Sequence, residues 1–130
     1  MPTIIRSFGF RYGLTVDSHI VFGAHASNQH NPYQLVGTSI VVDVRRILPK
    51  NPYHNKKLRK LRGDDDAVIQ ELSHTHGIEQ AYHELRDVVR KHPGPVYIGC
   101  TGGHHRSVYI ANRLAKDLSI PVEHLNYNDK

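Results

Sequence analysis

The run from Pro95 to Leu118 constrains the fold of this chain more than any other stretch. A Pro-Gly-Pro breaker at 93–95 precedes Val96-Tyr97-Ile98, a short apolar run that predicts a buried strand. Further on, Val108, Ala111, Ala115 and Leu118 fall on one stripe at helical spacing, with Arg113, Lys116 and Asp117 largely off it. Between them lies Cys100-Thr101-Gly102-Gly103-His104-His105-Arg106-Ser107. Gly102 and Gly103 permit a tight backbone turn, and Ser107 is the predicted helix N-cap. Strand, glycine-bearing loop and helix N-terminus together make a geometry in which backbone amides and the helix dipole converge on an anion. Arg106 adds a planar, permanently charged fork suited to phosphate or carboxylate.

The rest of the chain supplies the sheet and helices around this unit. Residues 3–8 read as a first strand, and 19–22 as a second. A polar loop over 23–37 carries His25, Asn28, Gln29, His30, Asn31 and Pro32, and its length points to function or disorder. His25 and His30 lack a fixed local geometry for a metal, so no metal site is expected. Residues 38–44 form an apolar, β-branched run that predicts a buried strand ending at Asp43. Asp64, Asp65 and Asp66 can cap a helix starting near Ala67. Ile78, Ala81, Tyr82, Leu85, Val88 and Val89 recur at helical spacing, which predicts a core-facing helix over 78–91, stopped by Pro93. Residues 120–125 read as a last strand. The expected architecture is one α/β domain over 1–130, with a mostly parallel sheet, flanking helices and a strand–phosphate-loop–helix unit.

Charged residues at the carboxyl end of a strand sit where open α/β sheets bind ligands. Asp43 and Arg45 hold that place after the third strand; Arg45 is a candidate anion contact, while Asp43 suits a ligand role or a structural pair with Arg45 equally well. Arg11 brings a further charge in Ser7-Phe8-Gly9-Phe10-Arg11-Tyr12-Gly13. The segment Asn55–Arg62 carries Lys56, Lys57, Arg59, Lys60 and Arg62, a solvated face that also suits a phosphate backbone. Lys and Arg number 17 against 12 Asp and Glu, giving a net charge of +5, and that excess favours anionic partners without choosing among them. One cysteine excludes an internal disulfide and a cysteine-based zinc site. No apolar run approaches membrane-spanning length and no secretory leader pattern is present, so a cytoplasmic protein is expected.

Two families match these residues. Cys100, Gly103, Arg106 and Ser107 fit the Cys-x5-Arg-Ser/Thr loop of cysteine-dependent phosphatases. That resemblance implies a nucleophilic thiolate at Cys100 and a general acid, for which Asp43 or Asp65 is available. The longer run from Ile98 to Ala111 resembles, almost residue for residue, the C-terminal domain of the RNase adaptor protein RapZ. The likeness extends to Ser7–Gly13, to Asp43-Val44-Arg45 with Leu48-Pro49 and Asn51-Pro52-Tyr53, and to Leu58-Arg59 followed by Gly63 and Asp65. Lys50 is an insertion, Arg62 stands where the family has threonine, and about fifteen residues between 23 and 37 are extra.

The RapZ resemblance implies an α/β domain that binds an amino-sugar phosphate or a nucleotide and a small RNA, and that assembles as a homo-oligomer. Thr101, Gly102, Gly103 and Arg106 would hold the phosphate; Arg45 and Arg11 would complete the charge; His104 or His105 would meet the rest of the ligand; Cys100 and Ser107 would belong to the loop. No Walker pattern occurs, so no hydrolysis at such a site and no cofactor are expected. The family's basic tail has no counterpart after Leu125, so RNA contact is expected to be weak. Binding is preferred to catalysis, with the phosphatase reading as the alternative.

Overall fold

A computed structural model describes residues 1–16 and 32–129, together with the backbone of 19–21. Among the described residues, seven strands and three α-helices follow one another. They are β1 (Ile5–Gly9), β2 (Leu14–Val16), β3 (His19–Val21), β4 (Tyr33–Val36), β5 (Ser39–Asp43), α1 (Asp66–Ser73), α2 (Ile78–Lys91), β6 (Val96–Cys100), α3 (Arg106–Leu118) and β7 (Val122–His124). Five strands form the main sheet in the order β4-β5-β6-β1-β7. β6 runs parallel to both β5 and β1, β1 runs parallel to β7, and only β4 is antiparallel to its neighbour. The chain is therefore α/β with a mostly parallel sheet.

Alternation along the strands builds two unequal cores. Ile5, Ile40, Val42, Val96, Ile98 and Cys100 pack with all three helices in the larger one. Phe8, Val36 and Val41 pack on Phe10 and Val16 in a smaller one, with Leu14 and Tyr97 at its margin. The expected flanking helices thus gather on one face. β2, paired antiparallel with β3, helps cover the other. β5 is buried along its whole length, as its Ser-Ile-Val-Val-Asp sequence requires.

α2 has the bounds that the periodicity predicts, with Ile78, Tyr82, Leu85 and Val89 buried. Arg113 of α3 joins it by two hydrogen bonds to Glu79, at 2.8 and 2.5 Å, and its guanidinium lies 3.8 Å from the Tyr82 ring centroid.

Several sequence expectations shift. Ser107 is not the N-cap of α3: that position is His105, and Ser107 is fully buried inside the first turn, where its hydroxyl meets Cys100. Asp65 occupies the N-cap of α1 without bonding into the helix; its carboxylate instead accepts the Arg62 amide at 2.5 Å. Residues 33–36 of the expected loop are strand β4, turned back onto β5 at Gly37. Leu14–Val16 was not foreseen as a strand, because three residues carry too little alternation to register. His25, Asn28, Gln29, His30 and Asn31 lie outside the described residues. Among the described residues, no helix is long and apolar enough to cross a membrane.

Candidate ligand cleft

Because β1, β5 and β6 run parallel, their carboxyl ends share one edge of the sheet. That edge gathers Gly9 and Arg11 after β1, Asp43 at the end of β5, and the loop 101–105 after β6. Beside it opens a cleft of about 510 Å³, lined by Arg11, Cys100, Thr101, Gly102, His104 and His105. Asn51, Tyr53 and His54 complete the lining.

Local packing fixes the loop. Arg11 donates its amide to the Thr101 carbonyl at 3.1 Å, and Gly63 donates to the His104 carbonyl at 2.8 Å. At Gly103 the backbone takes φ +74°, and a side-chain carbon there would sit 2.6 Å from the Gly9 nitrogen. A Cβ on Gly9 would meet the Gly102 carbonyl carbon at 2.5 Å. The two backbones therefore touch, and only glycine on both sides allows it. The Gly9 amide is taken by the side chain of Asn126, at 2.7 Å. The amides of Gly102, His104 and His105 donate to no backbone carbonyl among the described residues. The first amides of α3 likewise have no partner within their own helix. This edge of the cleft is rich in free donors and carries the positive end of the α3 dipole.

Cys100 is 3% exposed. Its sulfur accepts the Gly103 amide at 3.3 Å and lies 3.1 Å from the Ser107 hydroxyl oxygen. Arg106 is 4% exposed and does not line the cleft. One of its terminal nitrogens donates to the Leu48 carbonyl at 3.0 Å, and the other to the Thr101 hydroxyl at 3.3 Å. Its Nε is buried without a hydrogen-bond partner. Burial pushes the Arg106 pKa down, partly offset by the nearby Cys100 and Asp43. The Arg106 fork thus ties the loop to Leu48 and holds the hydroxyl of Thr101, which is exposed at the cleft.

Arg45 is also committed elsewhere. Its guanidinium makes two hydrogen bonds to the Asp43 carboxylate, at 2.9 and 2.7 Å, and lies 4.2 Å from the Phe10 ring centroid. Asp43 thus pairs with Arg45, and Arg45 is not among the residues that line the cleft. Arg11 does line it.

The two histidines bring unsatisfied nitrogen to the site. His104 and His105 each bury Nε2 with no partner among the described residues. Burial is the main force lowering both pKa values; Arg62 adds to it at His104 and His104 adds to it at His105, while backbone carbonyls oppose it, those of Asp129 and Asn126 at His104 and those of Leu61 and Arg59 at His105. Both imidazoles are thereby favoured in the neutral form, able to accept or donate a hydrogen bond.

The basic segment divides in two. Lys56, Lys57, Arg59 and Lys60 are exposed and follow directly on the Tyr53–His54 wall. Arg59 donates to the Tyr53 carbonyl at 2.9 Å and stacks over the Tyr53 ring. Arg62 is anchored instead: its Nε donates to the Tyr127 carbonyl at 2.7 Å, and its head donates to the Lys60 and Leu61 carbonyls. Sequence reasoning placed Arg62 with the free cations because a charge run does not reveal which member turns inward. It also missed Asn51, Tyr53 and His54 as cleft residues. The signal available was the Asn51-Pro52 pair, which starts a short 3-10 turn with the Asn51 side chain accepting the Tyr53 amide.

Residues 34–128 match the family profile described as the RapZ C-terminal domain. Among curated relatives, a protein of Ectopseudomonas mendocina is 33% identical over 94% of this chain. One of Pseudothermotoga lettingae is 34% identical over 95% of it, and one of Limosilactobacillus reuteri is 35% identical over 88%. Each of the three is named a nucleotide-binding protein. The matched region spans 39%, 42% and 35% of their respective lengths.

Proposed function

Since the chain belongs to the RapZ C-terminal domain family, we propose that it binds a phosphorylated small molecule in the cleft beside the 101–105 loop, an amino-sugar phosphate or a nucleotide. The observation that carries this reading is the loop itself. A glycine turn at the start of a 13-residue helix lines a cleft together with Arg11 and the imidazoles of His104 and His105. The phosphate would take the free amides, the Thr101 hydroxyl and Arg11; His104, His105 and the Tyr53–His54 wall would meet the remainder. A volume of about 510 Å³ is in the range of small-molecule sites. The names of the relatives favour the nucleotide branch, but they belong to proteins more than twice as long.

Calorimetry of the full chain with inorganic phosphate, a hexosamine phosphate and a nucleoside monophosphate tests the reading. Saturable binding of at least one phosphate ester is expected. Arg11→Ala should weaken it by roughly tenfold to a hundredfold, the scale of one charge-assisted hydrogen bond. Absence of binding by every probe would remove the proposal; unchanged affinity in the variant would remove Arg11 from it.

The exposed cations beside the same cleft support an RNA contact of the kind RapZ makes. Lys56, Lys57, Arg59 and Lys60 present exposed charge of the kind that grips a phosphate backbone. The contact should therefore be weak, tolerant of sequence and steeply dependent on salt, because each neutralised phosphate releases counterions. Exchanging Lys56, Lys57 and Lys60 for glutamine should abolish it, whereas Arg62 should be left in place because it holds the C-terminal segment. Anisotropy titrations with a single-stranded RNA at two salt concentrations decide the matter. Tight binding that persists at high salt, or none at low salt, contradicts it.

A further inference from the structure

We propose that the ligand of the cleft is a nucleoside monophosphate, with Tyr53 as the platform for its base, and that the cleft rejects an amino-sugar phosphate. The inference rests on the phosphate-binding reading above and chooses between its two branches. Phosphate recognition at the 101–105 loop serves both branches equally. The choice therefore falls to the residues that would meet the rest of the molecule.

The first observation is a charge that the cleft does not supply. A hexosamine phosphate carries an ammonium group near neutral pH, and an ammonium taken out of water needs a carboxylate beside it. None of the residues that line the cleft is acidic, while Arg11 is cationic. The carboxylates of the adjoining segments are engaged with protein groups. Asp43 pairs with Arg45, Asp64 accepts the Tyr127 hydroxyl at 2.9 Å, and Asp65 accepts the Arg62 amide. An amino sugar would thus meet a cation and no counter-ion, whereas a neutral base asks for no carboxylate.

The second observation is an aromatic ring held in place at the cleft yet open to solvent. Tyr53 lines the cleft and is 49% exposed. Its backbone is fixed on both sides: the amide donates to the Asn51 side-chain oxygen at 3.1 Å, and the carbonyl accepts from Arg59 Nε at 2.9 Å. Pro52 stiffens the turn before it. The Arg59 guanidinium lies over the ring, 4.8 Å from its centroid. Arg59 is not a lining residue, so the side of the ring that meets the cleft is left to the ligand. A base stacked there would complete a layer of guanidinium, phenol and base, a surface already ordered before binding.

Asn51 adds a hydrogen-bonding edge. Its oxygen is committed to the Tyr53 amide, and its amino group makes no hydrogen bond among the described residues. A lining residue thereby offers two donors, suited to a ring nitrogen or a carbonyl oxygen of the base.

Calorimetry of the full chain with the ribonucleoside 5′-monophosphates, ribose 5-phosphate and a hexosamine 6-phosphate tests the inference. The best nucleotide should bind more tightly than ribose 5-phosphate by about tenfold to a hundredfold, the scale of one base stacked on an aromatic side chain. The hexosamine phosphate should be the weakest of the probes. Tyr53→Ala should bring the nucleotide down to the level of ribose 5-phosphate and leave ribose 5-phosphate itself unchanged, which also shows that the variant is folded. Tyr53→Phe should keep the preference, since the ring and not the hydroxyl carries it. Equal affinity for nucleotide and ribose 5-phosphate, or tighter binding of the hexosamine phosphate, would overturn the inference and leave phosphate binding intact. A preference that survives Tyr53→Ala would remove Tyr53 as the platform. Failure to bind any of the phosphorylated probes would overturn both readings.

Discussion

Gly103→Ala is expected to lower the unfolding free energy by roughly 3 kcal/mol and to abolish phosphate binding. Two costs add there. The backbone at φ +74° lies in a region that an L side chain enters at a cost of about 1–3 kcal/mol. The new carbon would also stand 2.6 Å from the Gly9 nitrogen and 2.9 Å from the Phe8 carbonyl carbon. Neither is a flexible side-chain tip, so either β1 or the loop must move, and overpacking of this kind costs about 1–3 kcal/mol more. The movement would displace the amides of the ligand edge. Gly102→Ala is the control: its added carbon would meet nothing nearer than His104 Nδ1, at 3.8 Å. That substitution should stay within about 0.5 kcal/mol of the wild type. Urea unfolding of the two variants makes the comparison, and equal stabilities would refute the backbone contact between residues 9 and 103.

The second large effect is loss of stability in mild acid. Burial lowers the pKa of His104, His105 and His124 below the ordinary value of 6.5. The unfolded chain then binds more protons than the folded one, so the contribution of these groups is complete above pH 6.5 and fades as the pH falls through their folded values. Each proton taken up on unfolding steepens the decline by at most about 1.4 kcal/mol per pH unit. Glu79, whose pKa is lowered by its hydrogen bonds with Arg113, acts in the separate window below 4.5. His124 has a specific stake. Its Nδ1 lies 2.6 Å from the Ser7 hydroxyl and its Nε2 is 2.8 Å from the Asn112 side-chain oxygen. With Nε2 donating, Nδ1 accepts from Ser7, and a second proton on the ring removes that acceptor. Thermal melts should show a midpoint that drops between pH 7 and pH 5, with a shallower drop in His124→Gln. A midpoint constant over that range would contradict the assignment.

What was legible in the sequence divides along physical lines. α2 could be read to the residue because four buried positions repeat at helical spacing and Pro93 stops it. β5 and β6 announced themselves as short apolar runs between breakers. The position of the loop after β6 followed from its glycines and the apolar stripe beyond. The direction of individual side chains did not. Arg106, Arg45 and Arg62 carry equal charge in the sequence, yet each turns toward a local acceptor, at Leu48 and Thr101, at Asp43, and at Tyr127. Arg11, whose guanidinium lies 5.2 Å from the Tyr12 ring centroid, is the one of these four on the cleft wall. The Tyr53–His54 wall was equally hidden, since nothing in the spacing says that a segment fifty residues before the loop will face it. Gathering the helices on one face was missed because single-strand alternation does not tell which side a distant helix takes.

The central place of β1 in the sheet has a consequence for how the chain must be made. Its partners are β6 and β7, reached across 91 residues from Arg6 to Tyr97 and 117 from Ser7 to His124. β1 is thus made long before its neighbours, and the loop that follows β6 has no floor until β1 has docked. Pairings of such long sequence separation close slowly, and unpaired apolar strands are prone to aggregate while they wait. Synthesis that stalls before Val96 leaves Ile5 and Phe8 with neither of their sheet partners, so the cleft cannot close until β6 has been made.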